Sequence, residues 1–271
     1  MSSLGPFQMI NHRFEVACED AELRGLIAET LASVRGATGP VGSRYVVATC
    51  EQPDRYEVSV DRRALRSVAD PAGVIDGICT EANRLAINSS TAPAVLHAGA
   101  VERDGRAVVI AGQSGSGKST LVTKLLGEGW RYLTDEGAQL TSDLTVLPYL
   151  KPIVGKAVTV QVAGADVDVP RQHLDPTTFG RVCRTATPVA GLILLGVEPA
   201  TRARQLVDAC KLAFPVGKPS ECLDVLADLT AQRPVVCLPA RPAASLVARA
   251  LAEVLAPAGQ GGGRTAGYGG A

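Results

Sequence analysis

Ala94-Val-Leu-His-Ala-Gly-Ala-Val-Glu-Arg-Asp-Gly-Arg-Ala-Val-Val-Ile-Ala-Gly-Gln-Ser-Gly-Ser-Gly-Lys-Ser119 is the stretch on which the reading of the fold turns. Two apolar runs, Val95–Glu102 and Arg106–Ala111, flank Asp104-Gly105. An Asp-Gly pair in that setting marks a two-residue hairpin, because both central turn positions need positive φ. If these two residues form the turn, Arg103 pairs with Arg106 and all partner numbers sum to 209, which puts His97 opposite Gly112. A slip of one residue would turn His97 to the other face. A hydrogen-bonded histidine in a buried strand and a histidine facing a ligand are both open on pairing geometry alone.

The second run enters Gly112-Gln113-Ser114-Gly115-Ser116-Gly117-Lys118-Ser119, a complete GxxxxGK[ST], and a helical stretch follows with Leu121, Val122, Leu125 and Leu126 on one side. Strand, glycine loop and helix are the context this motif requires. The glycines let the backbone curl until successive N–H groups face one phosphate chain. Lys118 offers a point charge to the β- and γ-phosphates, and the Ser119 hydroxyl is a ligand for Mg²⁺. The helix adds its partial positive N-terminus. The expected nucleotide contacts run from Gly112 through Gln113, Ser114, Gly115, Ser116, Gly117, Lys118 and Ser119 to Thr120, for a nucleoside triphosphate or its diphosphate.

Beyond the helix, Gly127 and Gly129 stop it, and Trp130–Leu133 reads as a short strand ending at Asp135-Glu136. Adjacent carboxylates are commonly a solvated turn pair. At a strand end downstream of a phosphate loop they are placed to hold a metal ion or take a proton.

The rest of the chain is quieter. Arg13–Cys18, Ser43–Thr49 and Arg55–Val60 read as strands. Asp20–Val34 reads as a helix, with Leu23, Ile27 and Leu31 on one face and Asp20 as N-cap. Pro71–Ile87 is a second amphipathic helix, and Asn88–Pro93 a boundary. Later come a strand at Ala190–Gly196, helices near Thr201–Ala213 and Ser220–Ala231, a strand at Pro234–Leu238 and a helix at Ala243–Leu255. Val169–Pro188 reads as irregular; its Arg171, Arg181 and Arg184 are candidates to neutralise transferred charge, with surface solvation the plainer role. The expected division is a small α+β region at 1–90, a phosphate-loop domain at 91–257 and a disordered Gly-rich tail at 258–271.

Composition narrows the function. The 271 residues carry 27 Lys+Arg against 27 Asp+Glu. A net charge of zero with no dense basic run argues against nucleic acid as partner. The longest apolar stretch, Val189–Val197, is too short to cross a bilayer, and Met1–Ile10 lacks the basic start and apolar core of a signal peptide. Seven scattered cysteines without CxxC spacing fit reduced thiols in a cytoplasmic protein and no zinc site.

Together, His97, the loop Gly112–Ser119 and Asp135-Glu136 resemble the core of the HPr kinase/phosphorylase family, bacterial enzymes that phosphorylate a serine on a sugar-transport carrier protein. In that family a histidine precedes the loop, and an acidic pair follows it after a Gly-His-Arg segment; here the segment reads Glu128-Gly-Trp-Arg-Tyr-Leu-Thr-Asp135-Glu136. The separations, 15 residues from His97 to Gly112 and 23 from Gly112 to Asp135, look like the family's own. The specific likeness covers roughly His97–Gly137. Three departures accompany it. Ala98 stands where the family has glycine, the aspartate pair is Asp135-Glu136, and the downstream Glu-x-Arg-Gly-x-Gly signature is missing, since Phe179-Gly180-Arg181 does not supply it. Phosphorolysis and the carrier protein itself are therefore not carried over. A nearer likeness is to the shorter HPr-kinase-related proteins encoded beside ribosomal-peptide maturation enzymes.

The resemblance implies an α/β fold with a mixed sheet around the phosphate loop, of the HPr kinase/phosphoenolpyruvate carboxykinase-like type. It implies an ATP- and Mg²⁺-dependent kinase transferring the γ-phosphate to a serine of a protein or precursor peptide. Asp135 would be the general base, Glu136 with Ser119 the metal ligands, Lys118 the phosphate cation, and His97 the residue that orients Asp135 or touches the γ-phosphate. A nucleotide-binding switch or ATPase without serine transfer, and a small-molecule kinase, are the competing readings. A homo-oligomer is left open.

Overall fold

The computed structural model describes residues 1–36, 38–50, 55–155, 158–162, 165–169 and 172–256. The expected tail at 258–271 and Arg171 lie outside the described residues. The chain divides into two compact units, Met1–Thr91 with Leu150–Phe179, and Ala92–Tyr149 with the chain from Gly180 onward. The stretch from Leu150 to Phe179, which the sequence assigns to the phosphate-loop domain, thus belongs with the first ninety residues.

In the first unit, β1 (Ser2–Met9), β2 (His12–Cys18), α1 (Ala21–Thr30), β3 (Ser43–Thr49), β4 (Tyr56–Val60), β5 (Arg63–Val68) and α2 (Pro71–Asn88) follow in order. The sheet runs β1-β2-β3-β4-β5. Only β2 and β3 are parallel, and α1 is the crossover that a parallel pair requires. Both helices start on aspartate caps: Asp20 accepts from the Leu23 N–H, and Asp70 from the Gly73 N–H at 2.7 Å with Pro71 behind it. The helix expected through Val34 stops at Thr30, and Ala32–Val34 tightens into a 3₁₀ turn. The cause is 142 residues away in sequence. Buried Asp175 accepts from the Ser33 N–H at 2.6 Å and the Ser33 hydroxyl at 2.7 Å, which fixes that segment outside the helix.

The second unit begins with β6 (Ala94–Arg103), β7 (Arg106–Gly112), α3 (Lys118–Gly127), β8 (Arg131–Thr134), β9 (Gly137–Leu140) and β10 (Thr145–Leu147). The chain then returns to the first unit with β11 (Ile153–Gly155), β12 (Val158–Val162), β13 (Ala165–Val169) and β14 (Gln172–Leu174), where β11 pairs with β14 and β12 with β13. It completes the second unit with β15 (Arg181–Val182), β16 (Thr187–Leu195), α4 (Arg202–Cys210), α5 (Pro219–Gln232), β17 (Val235–Leu238) and α6 (Ala244–Leu255). The stretch expected to be irregular therefore contains two short strands, β14 and β15, each made by pairing with a distant partner rather than by any alternation of its own.

The sheet of this unit is ordered β15-β8-β6-β7-β16-β10-β9, with β17 on β16 and β9 also on β6. It is a mixed α/β sheet. The β6–β7 hairpin turns at Asp104 (φ 54°) and Gly105 (φ 75°), and its pairs run from Arg103↔Arg106 to Ala98↔Ala111, all summing to 209. The central strands are apolar on both faces, as strands covered by helices on each side are. Ala98, Ala100, Val109, Ala111, Leu192 and Leu194 pack towards Ala209 of α4 and Val225, Leu226 and Leu229 of α5. Alternation turns Gly99 and Gly191 to the opposite face. There a Cβ on Gly99 would meet Val122 of α3 at 2.6 Å, and one on Gly191 would meet Val254 of α6 at 2.6 Å. The two glycines let those helices lie closer to the sheet than any side chain would permit. Among the described residues no helix is long and apolar enough to cross a membrane.

Candidate functional site

Three parallel strands set up the site. In the ladder Gly112 pairs with Leu195 and Leu195 with Leu238, so β7, β16 and β17 end level with one another. The loops that leave them emerge side by side at the carboxyl ends of parallel strands, the place where α/β sheets bind ligands.

The loop after β7 is drawn tight. Gly115 and Gly117 take φ of 83° and 102°, left-handed values that a side chain would resist. A Cβ on Gly112 would meet Ser116 Oγ at 2.7 Å and the Leu195 carbonyl at 2.8 Å. The Ser116 N–H donates to the Gln113 carbonyl at 3.1 Å, and Gly117 is the N-cap of α3 with no side-chain cap. The N–H groups of the first turn of α3 are thus left to other acceptors. Lys118, expected to face ligand alone, is buried, and its ammonium donates to the Gly112 carbonyl at 2.7 Å and the Gln113 carbonyl at 3.1 Å. Gln113, Ser114, Gly115 and Thr120 are exposed, and Ser119 is half-buried in the first turn of α3.

The acidic pair sits in a break of the ladder next to β6. β8 pairs with β6 as far as Ala100↔Thr134, and β9 resumes at His97↔Gly137. Asp135 and Glu136 fill the interruption, with the Ala98 N–H donating to the Glu136 carbonyl at 3.0 Å. A Cβ on Gly99 would lie 3.6 Å from the Asp135 Cα. Asp135 is buried, Glu136 half-buried. The Tyr132 hydroxyl donates to Asp135 Oδ1 at 3.0 Å. Burial, reinforced by the neighbouring Asp135, holds the Tyr132 phenol well above its usual range, so it stays a donor.

His97 needs a correction. The register is the one the turn implies, but the β6–β7 pairs end at Ala98↔Ala111. In the place expected for Gly112, the Leu212 carbonyl accepts the His97 N–H at 2.7 Å, and on the other edge of β6 His97 pairs with Gly137 of β9. Its ring stands edge-on to Phe214 with centroids 5.7 Å apart. The strand beside β6 changes here from β7 to the segment after α4, because β7 has already turned into the loop. The ladder therefore joins His97 directly to the strand that follows Asp135-Glu136. Of the candidate arginines, Arg181 heads β15, three strands from β7, and Arg184 is exposed.

Two contributors carry no sequence motif. Tyr132 is a strand residue three before Asp135, and nothing in its spacing marks it. Arg241, in the turn after β17, donates its backbone N–H to the Ser116 carbonyl at 2.9 Å. A comparison with models of known protein families finds no match, and neither does one with curated proteins.

Proposed function

We propose that this chain is an ATP-dependent kinase of the HPr kinase-like type, transferring the γ-phosphate to a serine hydroxyl of a protein or precursor peptide. One observation carries the reading: a GxxxxGKS loop curled between β7 and α3, in the unit where His97 and the Asp135-Glu136 break adjoin one another on β6. Phosphoryl transfer asks an enzyme mainly for positioning and for stabilisation of charge. The loop amides and the N-terminal turn of α3 receive the phosphates, and the Lys118 ammonium leaves the Gly112 and Gln113 carbonyls for the β- and γ-phosphate oxygens.

Magnesium suits the donors available. Ser119 and Glu136 offer hard oxygens, and among the described residues no group of three or more His, Cys, Asp or Glu gathers. A phosphate-bridging Mg²⁺ needs only one or two protein oxygens, the remainder coming from phosphate and water. When bound, the ion neutralises charge on the phosphate chain.

Asp135 takes the proton of the acceptor serine as the serine oxygen bonds to the γ-phosphorus and the bond to the β–γ bridging oxygen breaks, releasing ADP. The Tyr132 hydroxyl donates to Asp135 Oδ1 and so helps to fix the carboxylate's orientation. His97 orients Asp135 or touches the γ-phosphate. The test is incubation with γ-labelled ATP, Mg²⁺ and candidate acceptors encoded by neighbouring genes, with the label located by mass spectrometry. Phosphoserine on a peptide or protein is the expected product. Phosphate release that ignores every acceptor would instead favour a nucleotide switch, and label on a metabolite a small-molecule kinase.

A further inference from the structure

The turn from Pro239 to Ala243 leaves β17, the second strand over from β7, and yet it touches the phosphate loop. Arg241 donates its backbone N–H to the Ser116 carbonyl at 2.9 Å, and a Cβ on Gly117 would lie 3.4 Å from Arg241 Cγ and 3.5 Å from its Cα. Neighbouring strands are about 4.8 Å apart, so the turn crosses roughly 10 Å over the end of β16 to reach the loop. It lies close over that end: a Cβ on Gly196, the residue after β16, would sit 3.8 Å from the Ala240 Cβ. Arg241 also holds φ at 52°, a left-handed value that costs a residue with a side chain, and it is flanked by Pro239 and Pro242. A glycine would meet the backbone demand without strain. The arginine side chain is exposed and its Cγ lies beside Gly117, the N-cap of α3.

We propose that Arg241 is a phosphate-binding residue of the nucleotide site, its guanidinium closing over the phosphate chain from the side opposite the acidic pair's strand. This rests on the phosphate-loop reading and adds to it a cation from outside the motif. A guanidinium fits because its planar fork bonds two phosphate oxygens at once, and because it remains charged at every working pH. Lys118 is a single point charge that also serves the loop's own carbonyls. Arg241 would supply a further positive charge for a triphosphate with four negative charges, and Arg181, at the head of β15, lies three strands from β7.

The measurement is binding of ATP and of inorganic tripolyphosphate, each with Mg²⁺, to the parent protein, Arg241→Gly and Arg241→Lys, by titration calorimetry. Arg241→Gly removes the side chain while accepting the backbone conformation, so its melting temperature should not fall below the parent's. Its affinity for both ligands should fall by roughly 10- to 100-fold, the worth of a charge-assisted pair of hydrogen bonds. Arg241→Lys should recover part of that loss. Arg241→Gly binding both ligands as the parent does would overturn the proposal. So would a loss confined to ATP, which would mean contact with the base. A parent that binds neither ligand would fail earlier, at the phosphate-loop reading itself.

Discussion

Replacing Gly99 by alanine should destabilise the second unit, and the packing of α3 on β6 sets the scale. The new methyl would stand 2.6 Å from Val122 Cγ2, against 3.5–4.0 Å for carbon atoms in contact, an overlap of about 1 Å. It has little room to retreat, because the Thr134 carbonyl lies 3.5 Å away and the Asp135 Cα 3.6 Å away on the strand side. Val122 is itself fully buried. Overpacking of this kind costs about 1–3 kcal/mol. Alanine returns roughly 0.5–1 kcal/mol over glycine in a strand, so a net loss of about 1–2 kcal/mol is expected, or roughly 2–8 °C in melting temperature. Denaturant melts of the parent, Gly99→Ala, Val122→Ala and the double variant test the cause as well as the size. Val122→Ala removes the clashing methyl, so Gly99→Ala should cost nothing further in that background, giving a coupling of about 1 kcal/mol or more. Equal costs of Gly99→Ala in both backgrounds would refute the close approach of α3 to β6.

Asp135→Asn keeps shape and hydrogen-bonding reach but cannot take a proton, so acceptor-dependent kcat should fall roughly 10²- to 10⁴-fold with nucleotide affinity nearly unchanged; transfer at the parental rate would remove the general-base role. Glu136→Gln should instead weaken Mg²⁺-ATP binding and shift the Mg²⁺ requirement upward, read by titrating the metal. Glu102, fully buried, accepts from Arg131 and from the Gly105 N–H at 2.6 Å. The Arg131 bond above all holds its carboxyl below the usual range. A lowered folded pKa stabilises at pH above the ordinary carboxylate value and loses that contribution as pH falls through the folded pKa. Acid unfolding should therefore steepen below about pH 4, and Glu102→Gln should flatten that arm of the stability curve.

What the sequence made legible was local. The Asp104-Gly105 turn determined a register that holds over all six pairs from Arg103 to Ala98, since a tight turn fixes everything that follows it. Asp20 and Pro71 marked helix starts because a cap and a fixed φ involve only the first turn, whereas the Asp70 cap was read only in the structure. What stayed hidden was made by distant partners. Gly137–Leu140 has neither alternation nor length, and is a strand only because β6 outruns β8 and pairs on that edge with the chain after the break. In β1 the pairing shifts between Leu4 and Phe7, which breaks the two-residue period that would have revealed it. Asp175 ends the first helix through Ser33, a contact no window of sequence contains. The candidate site divides in the same way. Its motif residues were readable one by one, whereas Tyr132 and Arg241 join it through a strand break and a turn two strands away.

The most direct measurement is Mg²⁺-ATP binding by titration calorimetry to the parent and to Lys118→Ala, with the melting temperature of each. The melting temperature separates loss of binding from loss of fold, because Lys118 is buried and donates to the Gly112 and Gln113 carbonyls. The expected result is one ATP per chain for the parent and no measurable binding for a folded Lys118→Ala. A folded parent that takes up no nucleotide, or a variant that binds as tightly as the parent, would contradict the reading of Gly112–Ser119 as a phosphate-binding loop.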